Sequence, residues 1–599
     1  MKILLVAINA KYIHSNLAIY DLRAYSKKYG EHIEIAEYTI NNLSEQIIID
    51  IYKRNPDVIA FSTYIWNVDM VNEIAREINK LMPDVPIWAG GPEVSYCAEE
   101  YLTENPYFSG IMYGEGEETF KMLVEYYLGI RQDISQVTGI TYRKDNAIIT
   151  AESSPQIDMD DIPFPYEDID GLENRIIYYE SSRGCPFSCS YCLSSVDKHL
   201  RFRSVDIVKK ELEFFLKMKV PQIKFVDRTF NCKKKHAMDI WQFILDNDNG
   251  VTNFHFEIGA DLIDSDELEL LSKMRKGLIQ LEIGIQSTND DTIKEIHRVM
   301  DFGKLSGVVR KIKSFGNIHQ HVDLIAGLPY EGMESFIKSF NDVYALHAEQ
   351  LQLGFLKVLK GSYMQEMQKE YGIIHKDKAP YEVMYTNWLS FSEVLELKQI
   401  EEMVETFYNS GQFSNTIDLL EHFYETPYML YKDLAIYYDK HIKAGMKQNR
   451  IAKYELIHDM YCEKLDSIKN NKNEIHNRFD DFDMQLLDDM LVYDIFDREN
   501  AKSRPGFSVV LEEDREKIKR FYRDEGRKYD KRMTHIEAFS YERVADSDGQ
   551  NSSTSKGFYK NNEINDILET ENMQMGCYIK QKNFVLFDYE TGDRIVLHL

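Results

Sequence analysis

The chain has 599 residues, which at about 150 residues per domain suggests roughly three to five folding units. Asp and Glu (99) outnumber Lys and Arg (71), and the net charge of −28 excludes a surface that broadly seeks nucleic acid or anionic lipid. With 44% hydrophobic residues, 30 Gly, 14 Pro and 7 Cys, low-complexity, collagen-like and disulfide-scaffold proteins are excluded too. No apolar run reaches the roughly 18 residues of a membrane span. The apolar opening, residues 2–9, lacks a small-residue cleavage site and reads as a buried strand, so a cytoplasmic protein is expected. Further apolar strands are predicted at 33–40, 58–65, 85–91 and 108–114, with helical periods at 16–29, 43–54, 68–82, 96–104 and 117–127. That alternation predicts an α/β fold with a doubly wound parallel sheet, whose ligand crevice lies beyond the C-terminal strand ends. Those ends carry His14 and Asn16, then Ser62, Thr63 and Tyr64, then Gly90, Gly91 and Pro92, then Gly114, Glu115 and Gly116. No Gly-x-Gly-x-x-Gly follows the first strand, which argues against a dinucleotide site.

Residues 1–131 resemble the cobalamin-binding Rossmann-like domain, above all at the Gly90-Gly91-Pro92 and Gly114-Glu115-Gly116-Glu117 corners. The resemblance implies that the strand-end residues just named contact cobalamin. The methyltransferase form of that domain carries Asp-x-His-x-x-Gly, whose His ligates cobalt. Tyr12-Ile13-His14-Ser15-Asn16-Leu17 lacks both the Asp and the Gly, so His14 is open to capping, corrin contact or packing. Ordinary turn glycines in a sheet domain are the competing reading.

A linker is expected at 132–170, with a short hairpin around 142–146 and an acidic, Pro-containing crossing at 158–170. The next domain, 171–370, opens with a strand at 175–180 that runs into Cys185-x-x-x-Cys189-x-x-Cys192. Three thiolates on one tight loop suit an iron–sulfur cluster, and a cubane held by three leaves one iron open. A zinc site with His199 as fourth ligand is the alternative. Five more strands, at 222–231, 254–262, 279–287, 321–328 and 351–359, alternate with helices and predict a partial (β/α)6 barrel. Their ends carry Asp227, Asn231, Glu257, Asp261, Glu282, Gln286, Ser287, His321 and Asp323. Asp227 also reads as a helix cap or a partner of Arg201 or Arg203. That arginine pair suits either an anionic ligand or solvent. Cys232 reads as a buried small hydrophobe.

With Tyr191 before the third cysteine, the loop resembles the radical S-adenosylmethionine (SAM) signature. The resemblance implies a [4Fe-4S] cluster on Cys185, Cys189 and Cys192 that cleaves SAM to a 5′-deoxyadenosyl radical. It further implies SAM contacts at Tyr191, Asp227, Asn231, Gln286, Ser287, Gly327 and the Leu356 backbone.

Beyond 370 long helical patterns take over, at 391–410, 415–440, 450–468 and 475–497, followed by a basic helix at 514–528. Aromatic residues at helical spacing read as core, and the Asp-rich stretch 478–497 as a solvated face. Ser547–Lys556 reads as a loop and 576–599 as a hairpin, while His535 and Cys577 have no partner at metal spacing. The region resembles the uncharacterised C-terminal extension of some cobalamin-binding radical SAM proteins.

The combination implies a cobalamin-dependent radical SAM enzyme that methylates an unactivated carbon. Radical rearrangement or cyclisation without methyl donation is the alternative, and a non-enzymatic cobalamin or redox sensor a further one. RNA methylthiolation needs an extra N-terminal cysteine cluster, and only Cys97 lies upstream. The expected partners are a small-molecule, lipid or peptide substrate and an electron donor such as flavodoxin or ferredoxin, with neither membrane nor nucleic acid.

Overall fold

The computed structural model describes residues 1–145, 147–167, 169–442, 449–470, 479, 482–526, 528–543, 573–574, 578–597 and 599. Asn146, Asp480, Asp481, Cys577, the 547–556 loop and the start of the helix expected from 475 lie outside them. The described chain forms two compact units, one of residues 1–349 and 353–394, the other of 350–352 and 395–599.

In the first unit, β1 (Ile3–Asn9) carries the longest apolar run. Leu4, Val6 and Ile8 enter one buried layer, and Ile3, Leu5 and Ala7 the other. Burial on both faces is why the strand reads as unbroken hydrophobic sequence. Around it stand β2 (Ile33–Thr39), β3 (Val58–Ser62), β4 (Ile87–Gly90) and β5 (Gly110–Met112), in the parallel order β2-β1-β3-β4-β5. The strand order reverses between β1 and β3, which is where a ligand crevice opens in such sheets. The hairpin placed in the linker joins this sheet instead. Its strands β6 (Ile140–Lys144) and β7 (Ala147–Thr150) pair antiparallel beyond β5 and make seven strands in all.

A second sheet holds six strands in sequence order: β8 (Ile177–Tyr179), β11 (Gln222–Phe225), β12 (Asn253–Ile258), β13 (Ile279–Gln286), β14 (His319–Ala326) and β15 (Gln350–Phe355). The pairings from β8 through β14 are all parallel. A small antiparallel pair, β9 (Ser182–Arg183) and β10 (Arg201–Phe202), frames the cysteine loop. One face of the sheet is apolar, with Ile223, Phe225, Phe254, Phe256, Leu281, Ile283 and Val322 fully buried. The alternate positions carry Lys224, His255, Glu257, Glu282, His321 and Asp323, so the period-2 pattern places a polar belt on the opposite face.

The second unit holds helices Ser414–Glu421, Pro427–His441, Arg450–Asn470 and Met484–Arg498. It also holds a three-stranded antiparallel sheet of Thr534–Phe539, Asn583–Asp588 and Arg594–Leu597. Phe407, Phe413, Phe423, Tyr428 and Tyr431 are core, as their spacing suggests. The acidic stretch departs from expectation. Asp494 is 4% exposed and accepts from the Asn415 and Thr416 N–H groups and side chains. Asp489 accepts from the Ser540 and Tyr541 N–H groups, and Asp497 pairs with Arg594. Asp489 and Asp494 are internal acceptors for neighbouring backbone, a use that charge patterning alone does not reveal.

Candidate functional site

The cysteine loop is held at both limbs. Gly184 takes a φ of 89°, and a Cβ on it would stand 2.6 Å from the His199 carbonyl oxygen. Only glycine lets the outgoing chain pass its return limb so closely. The Cys185 N–H donates to Asp197 (3.3 Å), the Ser190 N–H to Ile296 (2.9 Å), and the Ser190 carbonyl accepts from Met364 (2.9 Å). Cys185 and Cys189 are buried and Cys192 is half-buried. His199, the alternative fourth ligand, has a side chain 76% exposed beside Asp197.

Asp227 lies beneath the loop and is fully buried. It accepts from the Ser181 N–H (3.0 Å), the Ser181 hydroxyl (2.7 Å) and the Ser182 hydroxyl (2.5 Å). Burial pushes its carboxyl up to about 6 despite those bonds. It therefore caps no helix and pairs with neither arginine. Asn231 exchanges two 2.9 Å bonds with the Gly259 backbone. Both residues are committed to positioning neighbouring chain.

Arg298 is the cation at the loop. Its Nη1 stands 3.7 Å from Cys189 Sγ and 3.3 Å from the Tyr191 hydroxyl, and its Nη2 donates to the Gly284 carbonyl. At the end of β13, Gln286 takes a φ of 73°. Ser287 is buried and donates to Glu331 (2.6 Å), which also accepts from Ser339 (2.9 Å). Burial raises the Glu331 carboxyl to about 7. Gly327 has a φ of 90°, and a Cβ there would meet Val383 at 2.8 Å. The Leu356 N–H donates to Ala326 (2.9 Å) and its carbonyl accepts from Val383 (2.8 Å). Its main chain is thus engaged within the sheet edge, and the expectation that it pairs with an adenine loses its free donor.

The polar belt lies across neighbouring strands. Lys224 donates to Glu282 (2.8 Å) and stands 3.8 Å from Glu257, while His255 Nε2 is 3.0 Å from the same Glu282 oxygen. Ligand atoms of Glu282, His321 and Asp323 all fall within 4.8 Å of one another. Burial and the Glu282 charge raise Glu257 to about 7, and burial likewise lifts Asp323 well above the carboxylate range. Glu282 goes the other way, because His255 and Lys224 outweigh its burial. Asp261, although named with these groups, sits on the turn after β12 and takes the Lys304 ammonium on its backbone carbonyl.

In the first sheet the strand ends gather at the crevice. Asn16 caps helix Leu17–Tyr25 and donates to the Ser62 hydroxyl (3.3 Å). The Thr63 N–H donates to Gly90 (2.7 Å), and its buried Oγ1 has no protein partner. Gly91 takes a φ of 115°, and a Cβ there would lie 2.4 Å from the Thr63 carbonyl oxygen. Tyr64 stacks on Trp66 with centroids 4.3 Å apart. Tyr12, Trp66 and Tyr96 are exposed, at 65%, 43% and 44%, and Pro92 is exposed with them. Gly114 has a φ of 74° with open space where its Cβ would be, and Gly116 opens helix Gly116–Tyr127.

Several ties join this sheet to the second, among them Arg183 to Glu117 and Arg175 to Glu37. His14 accepts or donates at Nδ1 with the Tyr178 hydroxyl (2.7 Å), and its backbone makes an isolated parallel bridge with Ile176. Arg201 grips Glu115 through both Nη atoms and donates to the Ile157 carbonyl (2.7 Å). Arg203 is held by Glu211 and by the Met159 and Ile162 carbonyls. The arginine pair is therefore neither solvated nor open to a ligand. Burial pushes Glu115 up, but Arg201 and Arg183 outweigh it and hold the carboxyl below its usual range.

Three family descriptions match the chain. The B12 binding domain matches residues 3–124, the radical SAM superfamily 179–343, and a protein of unknown function (DUF4080) 369–558. This chain joins a B12-binding domain to a radical SAM domain. The B12-binding radical SAM chain is 27% identical over 360 residues to the cobalamin-dependent radical SAM methyltransferase TokK of Streptomyces tokunonensis, covering 54% of this chain and 51% of TokK. It is 27% identical over 322 residues to the uncharacterized methyltransferase PH0819 of Pyrococcus horikoshii, covering 51% of this chain and 68% of that one. The chain thus spans about half the length of TokK and about two thirds of the Pyrococcus protein. Among solved structures, the cobalamin-dependent SAM radical enzyme OxsB with aqua-cobalamin bound shares the fold, with a TM-score of 0.58 at 17% identity. That likeness covers 88% of this chain and 84% of OxsB.

Sequence reasoning missed Lys224, His255 and Arg298 in the radical SAM domain. Lys224 and His255 do leave a signal, since each is a polar residue between two apolar neighbours in a buried strand. Arg298 follows helix Asp290–Glu295 in an irregular segment and leaves none.

Proposed function

We propose that the chain is a cobalamin-dependent radical SAM enzyme that methylates an unactivated carbon of a small-molecule, lipid or peptide substrate. The observation that carries this is the cysteine loop, with three thiols pinned beside a six-stranded sheet whose strands run parallel from β8 through β14, and a guanidinium against one of them. The donor set fits a [4Fe-4S] cluster, because thiolates are its usual ligands and a neighbouring cation favours the thiolate. The first sheet fits cobalamin. It offers an orphaned Thr63 hydroxyl, a glycine corner where backbone approaches closely, and exposed aromatic rings at the strand ends. TokK and PH0819, both named as methyltransferases, support methyl transfer.

In this reading Cys185, Cys189 and Cys192 hold the cluster. Tyr191, Gln286, Ser287 and Gly327 line the SAM site. His14, Asn16, Ser62, Thr63, Tyr64, Gly90, Gly91, Pro92, Gly114, Glu115 and Gly116 frame cobalamin. When bound, these groups supply a 5′-deoxyadenosyl radical and a methyl donor, and that chemistry is the cofactors' own. The chain positions and shields. Asp227 fixes the base of the cysteine loop, Arg298 balances thiolate charge, and the belt around Lys224 and Glu282 orients a polar substrate group. Electrons come from a flavodoxin or ferredoxin.

The test is anaerobic reconstitution with iron, sulfide and hydroxocobalamin, then mass spectrometry of the products from SAM and a reductant. Formation of 5′-deoxyadenosine together with methylcobalamin is the expected result. 5′-Deoxyadenosine without methylcobalamin would move the assignment to rearrangement or cyclisation. Neither product, from protein with a full complement of iron and cobalamin, would overturn the enzyme reading.

A further inference from the structure

The second unit contains a chain of three side chains that the chemistry above does not use. His458 and Cys462 lie one turn apart on helix Arg450–Asn470, and Cys462 Sγ is 3.4 Å from His458 Nε2. On the other side of the ring, His458 Nδ1 is 2.7 Å from Asp488 Oδ1, on helix Met484–Arg498. The imidazole stacks flat on Phe507, with centroids 4.4 Å apart and an interplanar angle of 6°. Cys462, His458 and Asp488 are all half-buried, so the sulfur is sheltered without being sealed.

Each contact has a chemical consequence. A carboxylate at Nδ1 holds the proton on that nitrogen and leaves the Nε2 lone pair facing the thiol. The flat contact with Phe507 restrains ring rotation. The thiol proton therefore has an acceptor in a fixed position, and the imidazolium that forms has a carboxylate behind it. This is the arrangement of nucleophile, base and orienting group that activates a thiol. A metal site fits less well, because Asp488 binds the ring nitrogen opposite the sulfur and so stands behind the histidine.

Other charges face the group. Helix Pro427–His441 contributes Tyr437, Lys440 and His441, all of which engage Glu463 next to Cys462. Asp459 adjoins His458 in sequence, and Asp483 lies close enough to Asp488 to act on its charge. The Glu463 charge is thus matched by Lys440, while Asp488 is held by His458.

We propose that Cys462 is a nucleophilic thiol that takes an activated acyl carbon, with His458 as its base and Asp488 as the positioning residue. In the step, sulfur attacks the carbonyl carbon, an S–C bond forms and the bond from that carbon to the leaving group breaks. The thiol proton passes to His458 Nε2 and then to the leaving group. The products are a thioester on Cys462 and the protonated leaving group, with no change of oxidation state. The inference does not rest on the radical SAM reading.

The experiment uses the full chain with two probes, iodoacetamide for thiolate content and p-nitrophenyl acetate for acyl transfer, and follows each cysteine by peptide mass spectrometry across pH. Cys462 is expected to be alkylated with a midpoint at least about one unit below the ordinary thiol value of about 8.5. At neutral pH that makes it roughly tenfold faster than an ordinary exposed thiol, and the acetyl probe should leave a thioester on Cys462. His458→Gln should return the midpoint to about 8.5, and Asp488→Asn should move it part of the way. Where His458→Gln fails to fold, the wild-type profile and Asp488→Asn decide. A wild-type Cys462 that titrates like an ordinary thiol, or a lowered midpoint unmoved by Asp488→Asn, would overturn the proposal. So would alkylation without acetylation.

Discussion

Gly91 shows how a single residue can decide a binding corner. Its φ of 115° and the 2.4 Å approach that a Cβ would make to the Thr63 carbonyl leave no room for alanine. Gly91→Ala should displace the end of β4, cost about 3 kcal/mol or more, and abolish cobalamin uptake, which absorbance of the desalted protein would show. Glu331 makes a different argument. Burial raises its carboxyl from the ordinary 4.5 to about 7 in the folded chain. Its stabilising contribution is therefore complete below about pH 4.5 and is lost as pH rises through about 7. Glu331→Gln keeps one oxygen to accept from Ser287 and Ser339 and removes that dependence. Relative to wild type, the variant should gain about 2–3 kcal/mol of unfolding free energy between pH 4.5 and 7.5 in urea titrations. A difference that stays flat with pH would mean that Glu331 takes up its proton over the same range in the folded and unfolded chain.

Elements were legible from the sequence where burial imposes a period. The parallel strands of both sheets fall where unbroken or alternating apolar runs predict them, because a buried strand has no polar face to interrupt the pattern. The hairpin of β6 and β7 was visible as a hairpin, but its pairing with β5 was not, since register across distant strands leaves no local mark. The Asp-rich helix Met484–Arg498 misled because composition reports charge and not partners. Asp489 and Asp494 are buried acceptors for backbone from other segments. The candidate site divides the same way. The three cysteines announce themselves by spacing, whereas Arg298 reaches Cys189 from a segment 109 positions away. Glu115 and Arg201 are separated by 86 positions and equally silent in the sequence. Their pairing is partly buried on both sides, at 18% and 20% exposure. A double-mutant cycle on Glu115→Gln and Arg201→Gln should give a coupling of about 2 kcal/mol, between exposed and buried ion pairs. Additive losses of Tm would show the pair to be incidental.

At the scale of the whole molecule, every residue assigned to the cluster, SAM or cobalamin lies in the unit of residues 1–349 and 353–394. Within that unit the thiols sit on a loop of the second sheet and the cobalamin candidates on the strand ends of the first. The two sets of ligands are thus separable. Cys185→Ala/Cys189→Ala/Cys192→Ala should lose all cluster iron and the associated visible absorbance while still taking up one equivalent of cobalamin. Loss of both together would mean that the first sheet depends on the loaded loop for its shape. The second unit keeps its own core and its own polar networks, and the Cys462 group belongs to it alone.

The Glu115–Arg201 grip also bears on how such a chain can be recombined. Exchanging residues 1–131 for the equivalent piece of a relative would leave Arg201 facing whatever replaces Glu115, Arg183 without Glu117, and Tyr178 without His14. A graft cut at the apparent linker would separate ion pairs from their partners. One that carries the matching arginines and Tyr178 along with the first sheet preserves the seam. The unit of inheritance in this protein is therefore the seam with both of its sides, and not the sheet that the sequence boundaries suggest.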